Sequence, residues 1–157
     1  MKAKITPTSL QGTVPAISAK SYAHRALICA ALAKGAESNI TITDLSRDIE
    51  ATMGCLIAMG AKITKQTESV YRVTPIQRMD YRNQGAPLIL DCGESGSTLR
   101  FLVPVCAALG MQVQFIGQGR LMERPMEEMK KQHPRRGCCF CLISLTKRCR
   151  GREYRRG

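Results

Sequence analysis

Apolar residues recur with a helical period three times along this chain, and each recurrence ends at a glycine. From Ser21, the positions Ala23, Leu27, Ala30, Ala31 and Lys34 fall on one helical face, and Gly35 stops the segment. Asp44 or Ser46 is placed to cap a second helix, in which Ile49, Met53, Leu56 and Ile57 form a stripe ending at Gly60. Thr98–Leu109 is the third, closed by Gly110. Strand-like alternation fills the gaps. Ile40 and Ile42 alternate with Thr41 and Thr43, Ala61–Thr64 and Val70–Thr74 flank a polar turn, and Gln112–Ile116 alternates again. Leu88–Leu90 is a short apolar strand, and Lys2–Thr6 is a candidate for another. Gln11–Ala19 and Pro75–Pro87 read as connectors, and Gly117–Arg124 as a basic loop before a helix opened by Pro125.

The order helix, glycine, strand, polar turn, helix occurs twice, with stop glycines at Gly35 and Gly110. Two related βαβα units account for it, so the fold class expected is α/β with repeated units. The echo breaks after Met129. Gln132-His133-Pro134-Arg135-Arg136-Gly137 halts a helix, and an Arg- and Cys-rich segment without period follows. The expected division is therefore 1–131, an incomplete α/β region, and 132–157, a tail.

Charge sharpens that division. Residues 1–131 carry 16 basic and 11 acidic residues, a net of +5, whereas 132–157 carry 8 basic and one acidic, a net of +7. Cysteines divide likewise, with Cys138, Cys139, Cys141 and Cys149 in the tail. Four readings of the tail stand. A shifted reading frame is the preferred one. The others are a basic nucleic-acid-binding tail, a zinc site using the lone C-x-x-C with His133 and Cys149, and a family variant. A frameshifted end would strip the second unit of its last helix, and the exposed apolar surface predicts poor solubility. Met1–Gln11 lacks the apolar stretch of a signal peptide, and no apolar run approaches the ~18 residues of a membrane helix. The expectation is a cytoplasmic protein with reduced thiols.

Three segments hold candidate chemistry. Lys20, Ser21 and Arg25 open the first helix, where free backbone N–H groups and the helix dipole favour an anion. The alternative is a capped helix with solvated basic side chains. Gly93-Glu94-Ser95-Gly96-Ser97-Thr98-Leu99-Arg100 joins a strand to the third helix. Its glycines permit close backbone approach, and Ser97 and Thr98 supply hydroxyls. It lacks both the P-loop and the GxGxxG spacing, and an ordinary βα turn is the alternative. Arg120 and Arg124, four apart before a helix, can grip an anion, or form a solvated loop. The residues alone support a binder of phosphorylated or carboxylated small molecules.

The stretches AKSYAHRALICAALAKG, LDCGESGSTLRFLVPVCAALG and GRLMERPME, in this order, resemble the enolpyruvyl transferase family. The likeness covers residues 5–129. Ser21 after Lys20 favours the shikimate branch over the UDP-N-acetylglucosamine branch, which has Asn there. The resemblance implies transfer of the enolpyruvyl group of phosphoenolpyruvate to the 5-hydroxyl of shikimate-3-phosphate, in aromatic amino-acid biosynthesis. It implies no metal and no organic cofactor. It assigns Lys20, Ser21 and Arg25 to shikimate-3-phosphate, and Lys20, Gly96 and Arg124 to phosphoenolpyruvate, with Lys20 the one catalytic candidate. Ser97, Arg100 and Arg120 support them, and Gly96 matches the position where the herbicide glyphosate packs. The partners implied are these two small molecules, with no membrane, no nucleic acid and a monomeric full-length protein. Ser18-Ala19 stands where the family has Gly-Ser. The family has two domains and carries its acid/base carboxylates in the later half, so this chain is expected to be truncated and weakly active or inactive. The competing reading is a non-catalytic anion- or nucleic-acid-binding α/β module.

Overall fold

A computed structural model describes residues 4, 6–7, 9, 11–14, 19–77, 86–123 and 146–147. Three helices form where the period demands them. Helix α1 (Lys20–Leu32) buries Ala23, His24, Leu27, Ile28, Ala30 and Ala31, positions three and four apart that make one stripe. It ends two residues before Lys34, which is exposed and takes no part in that stripe. Helix α2 (Arg47–Ala58) buries Ile49, Thr52, Met53, Cys55 and Leu56. Ile57, expected on the same face, is half exposed, because one step of about 100° past Leu56 turns it outward. Ser46 is the residue before α2, yet its side chain makes no capping bond. Helix α3 (Gly96–Ala108) starts two residues earlier than the sequence suggested, with Ser95 as a true cap accepting from the Thr98 N–H at 3.1 Å.

The strands divide into two sheets. In the first, β1 (Ser38–Thr41), β2 (Lys62–Lys65) and β3 (Val70–Thr74) lie in the order β1-β3-β2, both pairs antiparallel. The hairpin between β2 and β3 matches the strand pair read around Lys65–Ser69. In the second sheet, β4 (Leu88–Asp91) and β5 (Val113–Gly117) run parallel, joined by α3 as the crossover. A two-residue strand β6 (Thr146–Lys147) adds to β5, also parallel. A 3₁₀ turn, Gly119–Glu123, occupies most of the expected loop. Lys4 and Thr6 are not in a strand, while the rest of the proposed first strand and the helix expected from Pro125 lie outside the described residues.

Helix α1 packs against β3, α2 against β4, and the helices pack on one another. Phe115, Leu90, Leu27, Ile49, Leu56, Leu99, Leu102 and Val73 are all but fully buried. The core is thus aliphatic apart from Phe115 and Tyr71, as the scarcity of aromatics requires.

Inside this apolar core the helix starts are joined by polar side chains. His24 Nδ1 lies 2.7 Å from Thr52 Oγ1, and Thr52 Oγ1 lies 2.7 Å from Thr98 Oγ1. Thr98 Oγ1 reaches the Asp48 carbonyl at 3.1 Å and Ser95 Oγ at 2.8 Å. Each hydroxyl has one proton, so the chain needs a direction. If His24 Nδ1–H donates to Thr52, Thr52 can donate to Thr98 and Thr98 to the Asp48 carbonyl, which needs no proton of its own. The relay then closes without a missing donor. His24 Nε2 is buried and has no hydrogen-bond partner among the described residues. Protonating His24 would place a second N–H there with no acceptor.

Burial is the main force lowering the His24 pKa from its ordinary value of 6.5. The Asp48 carboxylate opposes the shift and the Lys20 ammonium adds to it. A lowered folded pKa means the unfolded chain takes up the proton first. The stabilisation is therefore complete above about pH 6.5 and is lost as the pH falls toward the depressed folded value. Urea denaturation at pH 7.5 and pH 5.5 is expected to give a lower midpoint at pH 5.5. In His24→Asn, which keeps a donor but does not titrate, that difference should shrink. An unchanged difference would show that His24 is not its source.

Candidate functional site

The first turn of α1 is chemically open at its N-terminus. Ala19 occupies the capping position and makes no side-chain cap bond, and the turn holds no acidic residue. Lys20, Ser21 and Arg25 are all exposed. Backbone donors and two cations therefore share one helix start. Lys20 Nζ sits 3.6 Å from Asp48 Oδ2, a pair on the surface with both side chains about half exposed. Such a pair contributes little to stability and yields to a stronger anion. Sequence alone gives no reason to single out Asp48. Its one signal was an acidic residue in the first turn of a helix whose neighbours were unknown.

The second segment lies at the C-terminal end of β4. Gly93 has φ +55, which suits glycine, and its N–H donates to Asp91 Oδ1 at 2.9 Å, closing the turn. Gly96 is buried at the start of α3, while Ser97 and Arg100 are exposed. Thr98 departs from expectation. Its hydroxyl does not face outward but is consumed in the relay to Thr52, Asp48 and Ser95, because the third helical position turns inward. Of the two hydroxyls, that of Ser97 is the exposed one.

The third segment abuts the second. Gln118 N–H donates to the Gly93 carbonyl at 2.7 Å. A methyl at Gly117 would meet Leu121 Cδ2 at 2.6 Å and the Gly93 carbonyl at 3.1 Å, so any larger residue would have to push both aside. Arg120 is exposed and pairs loosely with Glu123 at 3.6 Å. Arg124 lies outside the described residues. The turns that follow β4 and β5 are thus adjacent at the carboxyl ends of two parallel strands, the edge where α/β sheets receive ligands.

The second turns of α1 and α3 also meet. The Arg25 guanidinium carbon is 5.5 Å from the centre of the Phe101 ring, and the His24 ring is 5.9 Å from it at a tilt of 48°. Behind the Gly93 turn, Cys55 Sγ donates to the Asp91 carbonyl at 3.3 Å. The Cys92 thiol is pushed up strongly by its hydrogen bond with Cys55 and by burial, and burial pushes Cys106 up to about 12. These two thiols stay protonated at neutral pH and are packing groups, not nucleophiles. No cluster able to hold a metal occurs among the described residues.

The structure therefore brings the Lys20–Arg25 and Gly93–Arg100 segments together through the His24–Thr52–Thr98 chain, and the segment from Gly117 to Glu123 against Gly93. Comparison with known proteins bears on what such a site belongs to. Residues 5–132 match the family model of EPSP synthase (3-phosphoshikimate 1-carboxyvinyltransferase). The 3-phosphoshikimate 1-carboxyvinyltransferase of Clostridium beijerinckii is 42% identical over 130 residues, covering 82% of this chain and 30% of that protein. Its counterpart in Clostridium kluyveri is 45% identical over 122 residues, covering 78% and 27%. Among solved structures, an EPSP synthase from Acinetobacter baumannii superposes with a TM-score of 0.63 at 26% identity, over 76% of this chain and 26% of the other. The chain spans less than a third of the length of these relatives. By its sequence match and its fold, this chain belongs to the EPSP synthase family.

Proposed function

We propose that this chain serves the transfer of the enolpyruvyl group from phosphoenolpyruvate to the 5-hydroxyl of shikimate-3-phosphate. In that reaction a bond forms between the 5-oxygen and C2 of phosphoenolpyruvate. The bond from C2 to the phosphate oxygen breaks, and phosphate leaves with the hydroxyl proton. Both substrates are anions, so the chemistry needs positive charge and N–H donors converging on phosphate and carboxylate groups. In this reading Lys20, Ser21 and Arg25 hold shikimate-3-phosphate, and Lys20, Gly96 and Arg124 hold phosphoenolpyruvate. Ser97, Arg100 and Arg120 add donors nearby, and glyphosate would compete at Gly96. No metal or organic cofactor is required.

The observation that carries the reading is the junction of two helix starts. The uncapped N-terminus of α1, with Lys20 and Ser21, is joined to the start of α3 by hydrogen bonds of 2.7 Å at each step. One phosphorylated ligand can therefore be met from both helices. The acid/base carboxylates implied by the family fall beyond the region matched here. The activity proposed for the chain alone is accordingly binding, with weak or absent turnover. The rival reading of a nucleic-acid-binding module gains no support, since the matched family is that of a transferase. No helix among the described residues is long and apolar enough to cross a membrane. The proposed setting is the cytoplasm, with small-molecule substrates and a monomeric full-length relative.

Titration calorimetry with shikimate-3-phosphate tests the proposal. The chain is expected to bind it, and Lys20→Ala and Arg25→Ala each to weaken binding about tenfold or more, the scale of a lost charge-assisted contact. Phosphate release on adding phosphoenolpyruvate should stay near background. No binding, or binding indifferent to both substitutions, would refute the proposal.

A further inference from the structure

We propose that Phe101 is a positioning residue for Arg25: its ring face holds the guanidinium at the anion site, which rests on the functional reading above. Thr98 and Phe101 are three apart on α3 and so share a face. Thr98 meets α1 through the polar relay, and Phe101 meets it one turn further along. There the ring receives two consecutive α1 side chains, the His24 imidazole at 5.9 Å and the Arg25 guanidinium at 5.5 Å. The Arg25 distance falls within the range of cation–π attraction, and the ring's negative face suits the cation.

Arg25 needs such a support. It is exposed, and a free arginine side chain samples many rotamers that binding would have to freeze. Stacking one face of the guanidinium on a ring restricts those rotamers. It leaves the N–H groups in the plane free to fork onto a phosphate or carboxylate. Phe101 is itself half buried against the core cluster, so the ring is a fixed platform rather than a second mobile group. His24 also packs against the ring and is itself held by Thr52. Phe101 thus acts through Arg25 and need not touch the ligand.

The test uses the full 157-residue chain. Proton–nitrogen spectra of the arginine Nε groups read the contact without ligand, with Arg25 assigned by its loss in Arg25→Lys. The Arg25 side-chain protons are expected upfield of the other arginines through the ring current. They should return to ordinary positions in Phe101→Leu and stay shifted in Phe101→Tyr. The dissociation constant for shikimate-3-phosphate is expected to rise about two- to fivefold in Phe101→Leu and to hold in Phe101→Tyr, the span of an exposed cation–π contact. In an Arg25→Ala background, Phe101→Leu should add nothing. Should Phe101→Leu fail to fold, Phe101→Met takes its place, and the wild-type shift stands without either. An unshifted Arg25, an unchanged dissociation constant in Phe101→Leu, or the same loss in the Arg25→Ala background would overturn the proposal. A shifted Arg25 in a chain that binds no shikimate-3-phosphate would refute the functional reading, and with it the positioning role, while leaving the contact itself in place.

Discussion

The His24–Thr52–Thr98 hydrogen-bond chain is the constraint on which the rest of the arrangement depends. Apolar packing alone would let α1, α2 and α3 slide, since Leu, Ile and Val contacts carry little direction. Three buried polar groups cannot slide without losing partners in a medium that offers none. Each therefore fixes its own helix against the next, at the first or second turn. The chain ends on the Asp48 carbonyl, so α2 is held by its backbone as well as by Thr52. What emerges is a specified register of helix starts, and the proposed anion site depends on that register.

Much of the fold was legible because periodicity and glycine stops are local signals. The starts of α1 and α2, the β2–β3 hairpin, β4 and β5 lie within a residue or two of where alternation and the stripes put them. Ile57 and Lys34 were misassigned because a stripe read from sequence has a soft edge, and packing decides which flank turns outward. Of the residues that the sequence puts forward as candidates at the starts of α1 and α3, Lys20, Ser21, Arg25, Ser97 and Arg100 are exposed.

What sequence could not supply was the pairing of inward polar residues. Thr52 looks like a tolerated polar residue in a stripe, and Thr98 like one more hydroxyl for a ligand. Only the packing of α2 between α1 and α3 turns them toward each other. Asp48 was invisible for the same reason, since its partner Lys20 lies 28 residues away in the chain. Arg25 and Phe101 likewise meet only because α1 and α3 are neighbours. Local residue types suggest an anion site, and long-range packing decides which side chains stay exposed and which are buried in the frame.

A double-mutant cycle on Thr52→Val and Thr98→Val, read by urea denaturation at pH 7.5, tests that frame most directly. Each valine keeps the volume and removes one hydroxyl. Because the two hydroxyls are partners at 2.7 Å, the effects are predicted to be strongly non-additive, with a coupling of about 1 kcal/mol or more. Additivity within about 0.3 kcal/mol would contradict the account, for it would mean that the hydroxyls do not bond and that something else aligns the helix starts.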